Sequence, residues 1–176
     1  TLGALLVLLL LVPPEQTLGE VIRVIFLHGA LVQVGLIAFA LAGVLGAIAL
    51  VRPEPAWLSG CLAMQKSSIA VWIAYVLASM LSTYLAWSIW IAWDEPRVRI
   101  SFQVLWFTVA CLLLVLWIGN RIFTGITNVV VALVVWWLVK GATILRHPLD
   151  PIGSSNSSSY RWFFLAILLL VLLLTA

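Results

Sequence analysis

The chain has 176 residues, 65% of them hydrophobic and only 9% charged, with a formal net charge of +3. That composition excludes a water-soluble globular protein and predicts a single transmembrane helical domain over residues 1–176. The positive charge accompanies no nucleic-acid module, so it is assigned to lipid headgroups or an anionic ligand, not to nucleic acid.

A helix needs about 20 mostly apolar residues to cross ~30 Å of hydrocarbon. Runs of that kind recur along the chain, without the alternating polar positions that a barrel lumen requires. The expected fold is therefore all-α, a polytopic bundle of about six spans. The first apolar segment, Leu2 to Val12, is short for a span, which implies further residues upstream, the alternative for an isolated run of this length being a signal-peptide core; Pro13 and Pro14 end it. A second runs from Val21 to Val51, and Arg52, Pro53, Glu54 and Pro55 form a loop. The third is expected from Ile69 to Trp87, with Cys61 in or near the preceding loop, and Asp94 to Arg99 interrupt again. The fourth covers Phe102 to Ile118, and Gly119, Asn120 and Arg121 make a tight turn into the fifth, Ile122 to Val139. Pro148, Asp150, Pro151 and the serines from Ser154 to Ser159 form a loop, and the sixth segment runs from Trp162, also short enough to suggest residues beyond it. Gly35, Gly43 and Gly46 lie within the second segment, where small residues allow close helix packing.

Each crossing reverses the side on which the next loop emerges, so counting spans places the polar groups. His28, about two turns into the second span, the stretch Trp87 to Arg99, and His147 all come out at one face. The two histidines are the only ones in the chain. Neutral imidazole is a common haem ligand, and indoles offer flat, rigid apolar faces. Trp87, Trp90 and Trp93 with Asp94 would thus be a platform between two axial ligands, His28 and His147. Arg97, Arg99 and Arg146 are candidates for pairing with haem propionates. The blander reading has the tryptophans as one interfacial helix face that anchors the protein, and the histidines bonded to neighbouring helices. More Lys and Arg fall on the histidine face (Arg23, Arg97, Arg99, Lys140, Arg146, Arg161) than on the other (Arg52, Lys66, Arg121), which by charge alone would make it cytoplasmic. Cys61 and Cys111 form no C-x-x-C pair, and no G-x-S-x-G, H-E-x-x-H or phosphate-binding loop is present, so no enzymatic chemistry is expected.

Three stretches resemble the CcmC-type haem-handling proteins of cytochrome c maturation. Val12-Pro13-Pro14-Glu15 followed by Arg23-Val24-Ile25-Phe26-Leu27-His28 is similar to that family's Pro-Pro-acid turn and Val-Arg-Ile-x-Tyr-x-His sequence. Trp87-Ser88-Ile89-Trp90-Ile91-Ala92-Trp93-Asp94-Glu95-Pro96-Arg97 looks like its tryptophan-rich WWD signature. Trp136-Trp137 and His147-Pro148 resemble the end of its fifth span. The resemblance implies six spans in a bacterial inner membrane. It also implies haem b held on the periplasmic or exterior face between His28 and His147 and against Trp87, Trp90, Trp93 and Asp94. The haem would then pass to partners in a cytochrome c assembly. The signature departs from the family in Ser88, Ile91 and the extra Glu95, and Gly29-Ala30-Leu31-Val32 lacks a tryptophan usual there. Two further expectations therefore stand beside delivery: a b-type haem subunit of a larger electron-transfer complex, and a haem-free scaffold subunit.

Overall fold

Helices α1 (Leu2–Leu11), α2 (Ile22–Val51), α3 (Pro55–Trp87), α4 (Pro96–Ile118), α5 (Arg121–Gly141) and α6 (Ser158–Thr175) follow one another in a computed structural model that describes residues 1–52, 54–143, 145 and 157–175. The fold is all-α, as expected, and α2 to α6 are each long and apolar enough to cross a membrane. The ten-residue α1 is apolar but shorter than a span.

Local chemistry sets the helix ends. Pro55 and Pro96 sit in the first turns of α3 and α4, where the missing N–H would have no partner in any case. Ser88 (φ 57°) and Gly119 (φ 61°) stop α3 and α4 in the left-handed region, which glycine enters without the strain that Ser88 carries. Asn120 caps α5 by accepting the Phe123 N–H at 3.0 Å.

Several boundaries differ from the sequence expectation. The third helix starts at Pro55, not Ile69, because Gln65 and Lys66 do not break it: Gln65 is buried against Asn128 and Lys66 is exposed. Cys61 therefore lies inside α3, fully buried, its thiol donating to the Ala42 carbonyl of α2 at 3.7 Å, and not in a loop. Helix α4 begins at Pro96 instead of Phe102, so Arg97 and Arg99 are helical. Helix α6 begins at Ser158, ahead of Trp162, and takes in the last two serines of the expected loop. Because α3 ends at Trp87, Trp90 and Trp93 lie beyond it and do not share a helix face with Trp87. Pro53, Pro148, Asp150, Pro151 and Ser154 lie outside the described residues.

Helix α2 is the centre of the bundle, packed against α3, α5 and α6; α4 lies against α3 and α5, and α1 against α6. Its glycines permit this. A Cβ at Gly43 would stand 2.6 Å from the Ala132 Cβ, one at Gly46 would stand 2.8 Å from the Gly125 carbonyl oxygen, and one at Gly35 3.0 Å from the Trp72 ring. These contacts make α2 a seam of close approach, backbone to backbone at Gly46 and backbone to side chain at Gly43 and Gly35, the packing that small residues provide between membrane helices.

Gly46→Ala is expected to destabilise by about 1–3 kcal/mol, because the obstructing atom is backbone and the helices must part. Gly60→Ala, whose Cβ would meet only Leu45 Cδ1 at 3.9 Å, is expected to be neutral or to gain up to ~1 kcal/mol. Thermal unfolding of both variants in the same detergent compares the two, and equal losses would contradict the close-approach account.

Candidate functional site

Trp72 and Tyr75 on α3 point into the bundle and are held there by α4. Trp72 Nε1 donates to the Ser101 carbonyl at 3.0 Å. Ser101 Oγ donates its single proton to the Arg97 carbonyl at 2.7 Å, so the Tyr75 hydroxyl, 2.8 Å away, donates to Ser101 Oγ. The Tyr75 ring, fixed at its hydroxyl end and packed 4.8 Å from Trp72, presents a face to His28 of α2. The imidazole lies 5.0 Å from that ring, tilted by 30°, half-buried and with Nδ1 in the bundle interior. Arg97 completes the group. Its Nε is buried with no hydrogen-bond partner among the described residues, and it shares with Tyr75, Trp72, Ser101 and Val139 a cavity of about 10 Å³, room for one water.

After Ser88 the chain turns back over the end of α4. Thr83 Oγ1 shares its proton between the Met80 carbonyl of its own helix at 2.9 Å and the Trp90 carbonyl at 3.0 Å, which ties the loop to α3. Ala92 and Glu95 are buried beneath it. The loop's indoles remain outside: Trp90 stacks on Tyr84 at 4.3 Å and 14°, Trp93 tilts against Phe102 at 5.1 Å, and each is 55% exposed. Trp87 is half-buried, and Asp94 and Arg99 are exposed. The buried Glu95 carboxylate accepts the Leu145 N–H at 3.2 Å and joins the loop to the segment that follows α5. Tyr160 of α6 donates to the Pro14 carbonyl at 3.2 Å, which brings the turn after α1 to this same end.

Of the residues singled out from sequence, the structure brings His28, Trp87, Trp90, Trp93, Asp94, Arg97 and Arg99 to one end of the bundle. Arg97 turns inward to Tyr75 and Arg99, two positions on, faces outward. His147 and Arg146 lie outside the described residues. No group of three or more metal-ligating side chains occurs among the described residues. Sequence reading missed Tyr75, Ser101 and Glu95. The available signal was position: Tyr75 is a polar ring in mid-span, three residues from Trp72 and so on the same helix face. Glu95, read as an insertion, is the loop's internal anchor.

The groups a haem would need, an imidazole, a guanidinium and part-exposed indoles, lie at this end of the bundle. The cavity below Trp90 is also only about 10 Å³, so neither of these two cavities takes a porphyrin, and the candidate surface is the exposed one carrying Trp90 and Trp93. No protein-family model matches the chain, and no curated protein is recognisably similar to it.

Ser101→Ala is expected to lower stability by about 1–3 kcal/mol, because it leaves the buried Tyr75 hydroxyl without its acceptor. Adding Tyr75→Phe should recover part of that loss. A double-mutant cycle by thermal unfolding reads the coupling, and strictly additive losses would rule the pair out as an interacting unit.

Proposed function

We propose that this chain is a haem-binding and haem-handling component of cytochrome c maturation. It would sit in a bacterial inner membrane with the His28 end facing the periplasm or cell exterior. Haem b is the cargo; His28 and His147 are its axial ligands, and Trp87, Trp90, Trp93 and Asp94 form the surface it rests against. Arg97, Arg99 and Arg146 are the propionate partners. The observation that carries this reading is that the bundle brings His28 of α2 to the same end as the α3–α4 region, which carries two half-exposed indoles and the inward Arg97, with Tyr75 packed between the imidazole and the Arg97 cavity. The WWD-like stretch supports it. Haem supplies the redox-active iron, and the protein binds, orients and presents it without breaking bonds. Other membrane subunits of the assembly are its partners.

The second reading, a haem-binding or haem-free structural subunit of a larger electron-transfer complex, is favoured by one observation. The His28 ring already packs on Tyr75 inside the bundle, as a purely structural histidine would.

Optical spectra of the detergent-purified protein, oxidised and dithionite-reduced, test the proposal. A low-spin haem b spectrum is expected, lost or converted to high spin in both His28→Ala and His147→Ala. An absence of haem absorbance even after reconstitution with added haem would overturn it in favour of the haem-free scaffold.

A further inference from the structure

Toward the end of the bundle opposite His28, two uncharged amides meet where α2, α3 and α5 converge. Gln65 of α3 and Asn128 of α5 are both fully buried. Asn128 Nδ2 donates to Gln65 Oε1 at 3.2 Å and to the Thr124 carbonyl at 3.0 Å, which uses both of its protons. Gln65 Nε2 and Asn128 Oδ1 are buried with no hydrogen-bond partner among the described residues. Turning the amides over does not repair this. A flipped Asn128 would set its oxygen against the Thr124 carbonyl, acceptor to acceptor. With Asn128 fixed, a flipped Gln65 would set donor against donor. One amino group and one carbonyl oxygen are therefore left over, in surroundings where an unmet amide is heavily penalised.

The leftover pair selects its own ligand. A cation would be repelled by the Gln65 amino group and an anion by the Asn128 oxygen, whereas a neutral molecule that both accepts and donates satisfies the two together. Ser68, fully buried one turn along α3, spends its proton on the Gln65 carbonyl at 2.9 Å and so offers only lone pairs, a further acceptor. We propose that a water molecule binds internally at this junction, accepting from Gln65 Nε2 and donating to Asn128 Oδ1. The site stands independently of any haem at the other end.

Hydroxyl-radical footprinting by water radiolysis, on the full chain in detergent, tests this, because radicals formed from a bound water oxidise the side chains beside it. Cys61 is the reporter. It lies one turn before Gln65, fully buried, and its Sγ is 3.6 Å from the point at Gly46 that is 3.0 Å from the Asn128 Cβ. Phe39, fully buried in the apolar core, is the reference. Oxidation of Cys61 well above that of Phe39, after correction for intrinsic reactivity, is expected in the unaltered protein. A several-fold slower rate is expected in Gln65→Met/Asn128→Leu, which removes both leftover atoms at nearly constant volume. Cys61 as inert as Phe39 in the unaltered protein would overturn the proposal without recourse to any variant, and so would an unchanged rate in a folded double variant.

Discussion

Hydrocarbon offers a polar atom no hydrogen bond, so a polar side chain inside this bundle has to be met by its own helix, by a neighbouring helix or by a bound water, and α3 is where that requirement concentrates. Its buried face carries Gln65, Ser68, Trp72, Tyr75 and Ser82, spaced so that they line one side of the helix. Gln65 meets Asn128 of α5, Trp72 and Tyr75 meet Ser101 of α4, and Tyr75 packs against His28 of α2. Apolar packing alone would leave α3 free to rotate among similar arrangements, since lipid tails are as apolar as leucine. The polar contacts remove that freedom, because a rotation would strand several groups at once.

The glycine seam of α2 and the polar face of α3 are complementary. Gly43 and Gly46 bring α2 against the backbone of α5, and Gly35 admits the Trp72 ring. Close approach thus sets the distance between helices while the hydrogen bonds of α3 set their rotation. The position of the His28 imidazole depends on both, because α2 carries the ring and α3, through Tyr75, carries the surface it rests on.

What could be read from the sequence followed from the strength of each signal. Apolar runs bounded by Pro13, Pro14, Gly119 and Asn120 made the helical class and most helix ends legible. The start of α3 was not, because its unbroken apolar run begins only at Ile69, after the polar Gln65, Lys66, Ser67 and Ser68; a polar residue that has a partner within the bundle is indistinguishable in sequence from one that faces water. Parity of crossings was enough to gather His28, Trp87 and Arg97 at one end, since it needs only the number of spans. The packing of the site was not legible. Neither the Tyr75–Ser101–Arg97 chain nor the grip of Glu95 on the Leu145 N–H follows from spacing, as each joins elements whose relative rotation the sequence leaves open.

The length of α3 bears on how the protein sits in its bilayer. Its 33 residues extend about 50 Å, against ~30 Å of hydrocarbon, and tilt alone would have to reach ~53° to hide the difference, beyond the range of about 0–40° that membrane helices adopt. Part of α3 therefore stands outside the hydrocarbon, and the long side chain of the exposed Lys66 can carry its ammonium toward the headgroups. By contrast α5, at 21 residues or about 31 Å, matches the membrane thickness without excess. Such a mismatch between neighbouring helices of one bundle makes its seating, and with it the depth of the His28 end, sensitive to bilayer thickness.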